Sequence, residues 1–117
     1  MALQEIPAQW RTEVCAIIAT EKTGTLIRWT EDAEKRFQAG SDSAWHYEIY
    51  QAIKDCLSAP HATGCPITMA NPPGETYEFL FPFRRKQFYG KILLRKDRKS
   101  VVVFSAHIAD YLTLSCE

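Results

Sequence analysis

Two neighbouring segments near the C-terminus of the sequence carry the side chains that are best suited to chemistry. The first segment has Tyr89 and Lys91 at alternate positions, and the second has Ser105 and His107. Because side chains along a β-strand point alternately to opposite faces, each pair lies on one face of its strand. If the apolar faces of both strands pack on helices, a phenol, an ammonium, a hydroxyl and an imidazole share the uncovered face of the sheet.

These groups match the requirements of RNA cleavage by internal transesterification. The reaction needs a base for the 2′-hydroxyl proton, an acid for the leaving 5′-oxygen, and cations that stabilise the phosphorane. A histidine suits either proton transfer because its unperturbed pKa is about 6.5, and a tyrosine stacks on a base or donates a hydrogen bond. We therefore predict His107, Tyr89 and Lys91 as catalytic residues, with no metal and no cofactor required. The predicted substrate-binding residues are Arg84, Arg85, Lys86, Arg95 and Ser105.

The charge of the chain is unevenly distributed, although its 14 basic and 14 acidic residues cancel. Residues 84–99 carry eight Lys or Arg residues and one Asp, hence a net charge of +7. A local positive potential of this kind favours an anionic partner such as RNA, and an arginine pair offers a bidentate fork to a phosphate. Residues 96–99 taken alone are typical of a solvated turn.

The N-terminal half of the sequence predicts three helices that are separated by turn residues. Apolar residues recur at helical spacing in the first and third helices, so each of these has one buried face. A short strand, residues 25–29, lies between the first and the second helix. The residues that begin or end these helices are Pro7, Gly24, Thr30, Gly40, Asp42 or Ser43, and Pro60. The apolar residues that we expect in the core are Trp10, Val14, Ile17, Ile18, Trp45, Ile49 and Ile53.

The C-terminal half predicts an antiparallel meander of three strands joined by short charged turns. The preceding loop is rich in Pro and Gly and contains a short strand at Ile67–Met69. Pro82 cannot donate to a sheet ladder, so the first strand of the meander is expected to lie at an edge or to bulge there. The tail Ile108–Leu114 is expected to form a short helix that packs Tyr111 and Leu112. The three strands are Tyr77–Phe83, Phe88–Arg95 and Ser100–His107.

These elements predict one α+β domain over residues 1–117, with N-terminal helices packed on one face of a small antiparallel sheet. The sequence contains no run of about 18 apolar residues and no signal peptide, so we expect no membrane segment and a cytoplasmic location. The cysteines are far apart and form no C-x-x-C pair, which favours reduced thiols. They are Cys15, Cys56, Cys65 and Cys116.

Two further kinds of site remain open. A zinc site would use histidine and cysteine side chains, although no complete tetrahedral set is specified by the spacing. Its candidate ligands are His61 and Cys65, together with His46 or Cys56. A cysteine–histidine nucleophile pair would use Cys65 or Cys116.

Two stretches of the sequence resemble a family of bacterial toxins. Arg28-Trp-Thr-Glu-Asp-Ala33, which leads into two helices and then a three-stranded meander, is similar to the RelE/ParE superfamily. Phe88-Tyr-Gly-Lys-Ile-Leu-Leu94, together with Val101–His107, is closer to the MqsR-like branch. The resemblance implies an endoribonuclease that cuts messenger RNA, with or without the ribosome, and is neutralised by a cognate antitoxin. It also implies that Tyr89 is the active-site tyrosine and that His107 replaces a basic residue of the last strand.

A second class of function is a non-enzymatic binding module, ParE-like or inhibitor-like. Such a module would use its sheet edge or the basic segment of residues 84–99 to bind a protein or a nucleic acid. The two classes differ in one observation, because only the enzyme cleaves RNA and loses that activity when His107 is replaced.

Overall fold

Helices and a six-stranded sheet make up the computed structural model, which describes residues 3–22, 24–69 and 71–117. The helices in these ranges are α1 (Ala8–Thr20), α2 (Glu31–Gly40) and α3 (His46–Ser58). The strands are β1 (Gln4–Glu5), β2 (Ile27–Trp29), β3 (Thr63–Ile67), β4 (Gly74–Phe83), β5 (Lys86–Arg95) and β6 (Val101–Ile108). The predicted α+β class is confirmed.

The first two helices form where the sequence predicts them. α1 begins directly after Pro7. The hydroxyl of Thr30 accepts a hydrogen bond of 3.1 Å from the backbone N–H of Ala33, and this bond satisfies a free donor in the first turn of α2. α2 ends at Gly40, as predicted. The buried residues of α1 are the predicted ones, Trp10, Val14, Ile17 and Ile18.

The start of α3 differs from the prediction, which placed the cap at Asp42 or Ser43. Both residues have positive φ angles, 53° and 64°, and belong to a turn. The Glu48 carboxylate instead accepts a hydrogen bond of 2.7 Å from the backbone N–H of Trp45, and α3 begins at the next residue. The prediction that Trp45 is a core residue is wrong, because it precedes the first turn and is 70% exposed. The two isoleucines predicted to be buried in α3 are fully buried.

The sheet has the strand order β1–β3–β4–β5–β6–β2. β4, β5 and β6 form the predicted antiparallel meander, and β2 pairs with β6 in parallel. β3 pairs with β4 only over Thr76–Glu78. At Pro82, β4 has β5 on one side and no strand on the other, so this part of β4 is an edge, as predicted. The missing N–H donor of Pro82 is tolerated there.

β3 lies earlier than the sequence indicates. The predicted strand at Ile67–Met69 is wrong, since β3 covers Thr63–Ile67 and includes Pro66. Pro66, one of the residues that suggested a loop, is tolerated because β1 pairs only with the first two residues of β3. One side of Pro66 is thereby left without a neighbouring strand, which is where a proline fits in a sheet.

A β-bulge in β6 decides which of its side chains face the helices. Lys91 of β5 pairs with Ser105, but the next residue, Ile92, pairs with Val103. Phe104 is therefore an extra residue with no partner in β5, and the alternation of side chains reverses at this point.

Because of this reversal, two valines face the helices, while the polar residues remain together on the other face of the sheet. The valines on the helix side are Val101 and Val103. Strict alternation of side chains along β6 predicts that they share a face with Ser105 and His107, and the bulge overturns this prediction. The four polar side chains nevertheless lie on the face opposite the helices, as predicted, because Tyr89 pairs with His107 and Lys91 pairs with Ser105. The expectation that this face is uncovered is wrong around His107, which is 6% exposed, because residues 110–115 lie over it.

One continuous hydrophobic core lies between the helices and the other face of the sheet. Its aromatic side chains from β4 include Phe79 and Phe81, which are fully buried. Gly90, the partner of Phe79 in β5, provides space for these rings. A Cβ atom at this glycine would lie 2.9 Å from the Phe79 ring, which is closer than such atoms approach in proteins.

The C-terminal tail does not form the predicted helix. Residues 109–117 have neither helical nor strand structure, and Tyr111 and Leu112, which were expected to pack, are 78% and 76% exposed. A disulfide joins Cys116 to Cys65 of β3, with a Cα–Cα distance of 5.8 Å, and holds the tail against the sheet. The expectation of reduced thiols is therefore wrong for this pair. The free cysteines are Cys15 and Cys56.

Candidate active site

A cavity of about 370 Å³ lies on the face of the sheet opposite the helices. Strand residues form its floor and the tail forms one wall, while α2, which packs against β6, contributes a basic side chain. The lining residues that bear on chemistry are Arg36, Glu78, Tyr89, Ser105, His107 and Asp110. Tail residues such as Leu114 and Ser115 complete the wall.

His107 and Tyr89 lie side by side in this cavity. They pair across β6 and β5, and their ring centroids are 5.6 Å apart. His107 is 6% exposed, and its Nδ1 donates a hydrogen bond of 2.9 Å to the carbonyl oxygen of Ile108. Because a carbonyl oxygen only accepts, Nδ1 carries a proton, and Nε2 is the ring nitrogen that is left to bond a ligand.

Glu78 of β4 is a buried carboxylate that fixes the Tyr89 hydroxyl. It is 3% exposed and accepts hydrogen bonds from that hydroxyl and from the hydroxyl and backbone N–H of Ser115, the last at 2.6 Å. Burial acts to raise the pKa of Glu78, but the hydrogen bonds from Ser115 and Tyr89 and the charge of Lys91 outweigh it, so its pKa is lowered. Burial and the Glu78 carboxylate raise the pKa of Tyr89. At neutral pH the pair is therefore a carboxylate and a neutral phenol.

Arg36 supplies the positive charge of the cavity. Its Nη2 donates a hydrogen bond of 2.9 Å to the carboxylate of Asp110 in the tail. This hydrogen bond and the guanidinium charge lower the pKa of Asp110. A guanidinium has five N–H donors, so the bond to Asp110 leaves others for a bound anion.

The predicted phosphate-binding cations lie outside the cavity. Arg84 donates to two carbonyl groups of the α2–α3 loop, at 3.0 and 2.9 Å, and to Glu48 at 3.0 Å. Arg85 and Lys86 are exposed at the β4–β5 turn. Arg95 lies at the opposite end of β5, about 30 Å from Lys86 at about 3.3 Å per residue. The segment with a charge of +7 therefore divides between the two ends of the sheet.

The other two predicted residues differ in their access to the cavity. Ser105 contributes to the lining, whereas Lys91 stands beside it. The Lys91 Nζ is 5.8 Å from the centroid of the Phe104 ring, and its charge acts on Glu78. Lys91 thus supports the buried carboxylate from this position.

The three charged residues of the cavity were not predicted from the sequence: Arg36, Glu78 and Asp110. Glu78 has a signal, since it is the single acidic residue in the run Tyr77–Phe83 and faces away from the phenylalanines of the core. Arg36 and Asp110 are 74 residues apart, and no local pattern links them.

Neither alternative site is formed by the part of the chain that the structure describes. Cys65 and Cys116 are joined to each other, so neither is a thiolate that can bind zinc or attack a substrate. His46 and His61 each bond to a glutamate, at 2.8 and 2.7 Å. Residues 3–22, 24–69 and 71–117 contain no group of three or more His, Cys, Asp or Glu side chains placed to hold a metal ion.

Comparison with known proteins gives no match to this chain. No family model matches it, and neither the curated proteins nor the solved structures give a significant match. None of the helices in the described ranges combines the length and the apolar character that a membrane crossing requires. The resemblance to the RelE/ParE superfamily stays a prediction.

Proposed function

We propose that the chain is an endoribonuclease that cleaves single-stranded RNA by metal-independent proton-transfer chemistry. The observation that carries this proposal is the pair of His107 and Tyr89, whose rings lie 5.6 Å apart in a cavity that also contains Arg36. The cavity thus combines an imidazole that can accept a proton, a ring that stacks on a base, and a cation for the phosphate.

His107 is the proposed general base. Its Nε2 takes the proton of the 2′-hydroxyl while that oxygen attacks phosphorus. The bond from phosphorus to the 5′-oxygen breaks, and a 2′,3′-cyclic phosphate remains on the upstream fragment. The hydrogen bond from Nδ1 to Ile108 holds the ring and its tautomer during this step.

The leaving 5′-oxygen takes its proton from water in this scheme, and the hydroxide that forms takes back the proton that His107 gained. Tyr89 is a poor donor to it, because its proton is held by Glu78 and its pKa is raised. The carboxyl groups of Glu78 and Asp110 have lowered pKa values and are deprotonated at neutral pH. Tyr89 is therefore assigned to base stacking, and Arg36 takes the phosphate-binding role that was predicted for Arg84 and Arg85.

The biological setting that we propose is the one the resemblance implies. The chain would be a cytoplasmic toxin of the RelE/ParE type that cuts messenger RNA, on or off the ribosome, and is neutralised by a cognate antitoxin. The order of helices and meander, together with Tyr89 and His107 on one face of that meander, supports this setting.

The test is cleavage of a mixed RNA pool by purified protein in the presence of a metal chelator. We expect cleavage by the wild type and a loss of roughly 10²–10⁴-fold for His107→Ala, the usual contribution of a proton-transfer group. His61→Ala is the matched control, because the side chain of His61 is 83% exposed and outside the cavity. Intact RNA with the wild type, both with its disulfide oxidised and with it reduced, would contradict the function, and equal cleavage by His107→Ala would contradict the role of that residue.

A second candidate is a module that binds single-stranded nucleic acid without cleaving it. The exposed positions of Arg85 and Lys86, outside the cavity, favour this candidate because their charges face solvent at one end of the sheet. In that case RNA stays intact, and replacing both residues by Ser weakens binding and reduces its dependence on salt. His107→Ala would then bind RNA as tightly as the wild type.

A further inference from the structure

We propose that the disulfide between Cys65 and Cys116 is a redox latch, which keeps the tail over the cavity and opens the site to RNA when it is reduced. This proposal rests on the proposed function for its effect on RNA. The opening itself rests on how residues 109–117, which we call the tail cover, are attached to the sheet.

The tail cover is attached to the sheet mainly around one point. Cys65 and Glu78 are paired positions of β3 and β4. The disulfide reaches the first of them from Cys116, and the hydroxyl and backbone N–H of Ser115 bond to the second. Because the covalent bond and the hydrogen bonds involve consecutive residues, loss of the disulfide leaves Ser115 held against Glu78 by its hydrogen bonds alone.

Other contacts of the tail cover are few. Leu114 is its one buried side chain, and the residues around it are mostly exposed. The ion pair between Asp110 and Arg36 lies at the surface, where such pairs contribute little to stability. A segment with few buried apolar contacts opens at low free energy once a cross-link is removed.

The groups that carry the chemistry belong to the strands and stay in place. Tyr89 and His107 are held in the antiparallel ladder of β5 and β6, and Glu78 is held in β4. Reduction therefore removes the wall of the cavity and leaves its floor. The opened floor is a sheet face that an extended RNA strand can follow, instead of a cavity of about 370 Å³.

The reductant that the latch requires is a dithiol. Two electrons and two protons pass from the dithiol to the protein disulfide, the S–S bond breaks, Cys65 and Cys116 become thiols, and the dithiol becomes a disulfide. Cytosolic thiol systems keep protein disulfides reduced, whereas oxidising compartments preserve them. The site would thus be covered outside the cytosol and open within it.

The test measures access to His107 without relying on RNA. Diethyl pyrocarbonate modifies an accessible neutral imidazole, and mass spectrometry reports each histidine separately. His61, whose side chain is 83% exposed, is the internal reference. After reduction with dithiothreitol and removal of the reagent, we expect the ratio of His107 to His61 modification to rise about tenfold or more, as for a locally opened segment.

Two variants make this measurement specific. Cys116→Ser should give the high ratio with or without the reductant, and Cys15→Ser, which removes a free cysteine, should respond as the wild type does. Circular dichroism of each sample checks that the sheet is retained. An unchanged ratio after reduction of the wild type, or a low ratio in a folded Cys116→Ser protein, would overturn the latch.

RNA cleavage by the oxidised and the reduced protein separates the latch from the proposed function. Faster cleavage after reduction supports both. A rise in His107 modification with no cleavage in either state supports the opening and contradicts the ribonuclease. Equal cleavage in both states overturns control of the site by the disulfide.

Discussion

Glu78 links the tail, the sheet and the candidate site through one buried charge. Moving a carboxylate out of water is costly unless donors replace the lost hydration. Ser115 and Tyr89 supply these donors, and Lys91 supplies a nearby positive charge. Since the pKa of Glu78 is lowered despite its burial, the folded protein favours the ionised form. The same carboxylate orients the Tyr89 phenol beside His107.

This lowered pKa predicts a pH dependence of stability. The unfolded chain holds the Glu78 proton more tightly than the folded chain, so the stabilisation is present above the ordinary carboxyl pKa and is lost as the pH falls through the lowered folded value. We expect the urea midpoint of the wild type to fall more steeply than that of Glu78→Gln between about pH 6 and about pH 3. If the urea midpoints of the two proteins fall equally with pH, Glu78 does not contribute to the pH dependence of stability.

Replacing Arg36 and replacing Arg84 should have opposite effects on RNA cleavage. Arg36 lines the cavity, so Arg36→Ala should reduce RNA cleavage by about 10²-fold or more, as when one donor to a transition-state oxyanion is removed. Arg84 is bonded to the α2–α3 loop and Glu48, so Arg84→Ala should leave the rate per folded molecule unchanged. Initial rates normalised to folded protein make the comparison, and a larger loss for Arg84→Ala would reverse the assignment.

For the helices and strands, the sequence predicts the features that depend on local periodicity. It misses the features that depend on how strands pair. The period of two along β5 and β6 is local, so the shared face of Tyr89 and His107 could be predicted. The bulge at Phe104 arises only when the two strands pair. The sheet face on which Val101 and Val103 lie could therefore not be predicted. Trp45 was misplaced because the helical spacing of apolar residues continues one residue before the helix begins.

Because β4 pairs with β5, a side chain at position 90 is expected to destabilise the fold. A Cβ atom there would lie 2.9 Å from the ring of Phe79, which is fully buried and has no room to move. Gly90→Ala should therefore lower the free energy of unfolding by roughly 1–3 kcal/mol, the usual cost of overpacking a core. Urea unfolding measures it. In a Phe79→Leu background the same substitution should cost less, and an equal cost would mean that the ring is not the obstacle.

At the scale of the whole molecule, the site is completed by contacts between distant parts of the chain. Cys65 and Cys116 are 51 residues apart, and Arg36 and Asp110 are 74 apart. Neither pair has a local signature, and cysteine spacing alone does not define a disulfide. The sequence therefore predicted the floor of the cavity, which strands build, and missed the wall and the cation, which only the folded chain brings to it.

The disulfide predicts a change in the stability of the whole molecule. A cross-link limits the conformations of the unfolded chain, and its removal typically costs about 2–4 kcal/mol. We expect Cys65→Ser and Cys116→Ser to lower the free energy of unfolding in urea by equal amounts within this range. Because both remove the same cross-link, the double variant should be no less stable than either single variant, and the reduced wild type should match all three. Cys15→Ser should have the same urea midpoint as the oxidised wild type. If oxidised and reduced wild type share one midpoint, the disulfide does not stabilise the fold, and the tail is held by its hydrogen bonds alone.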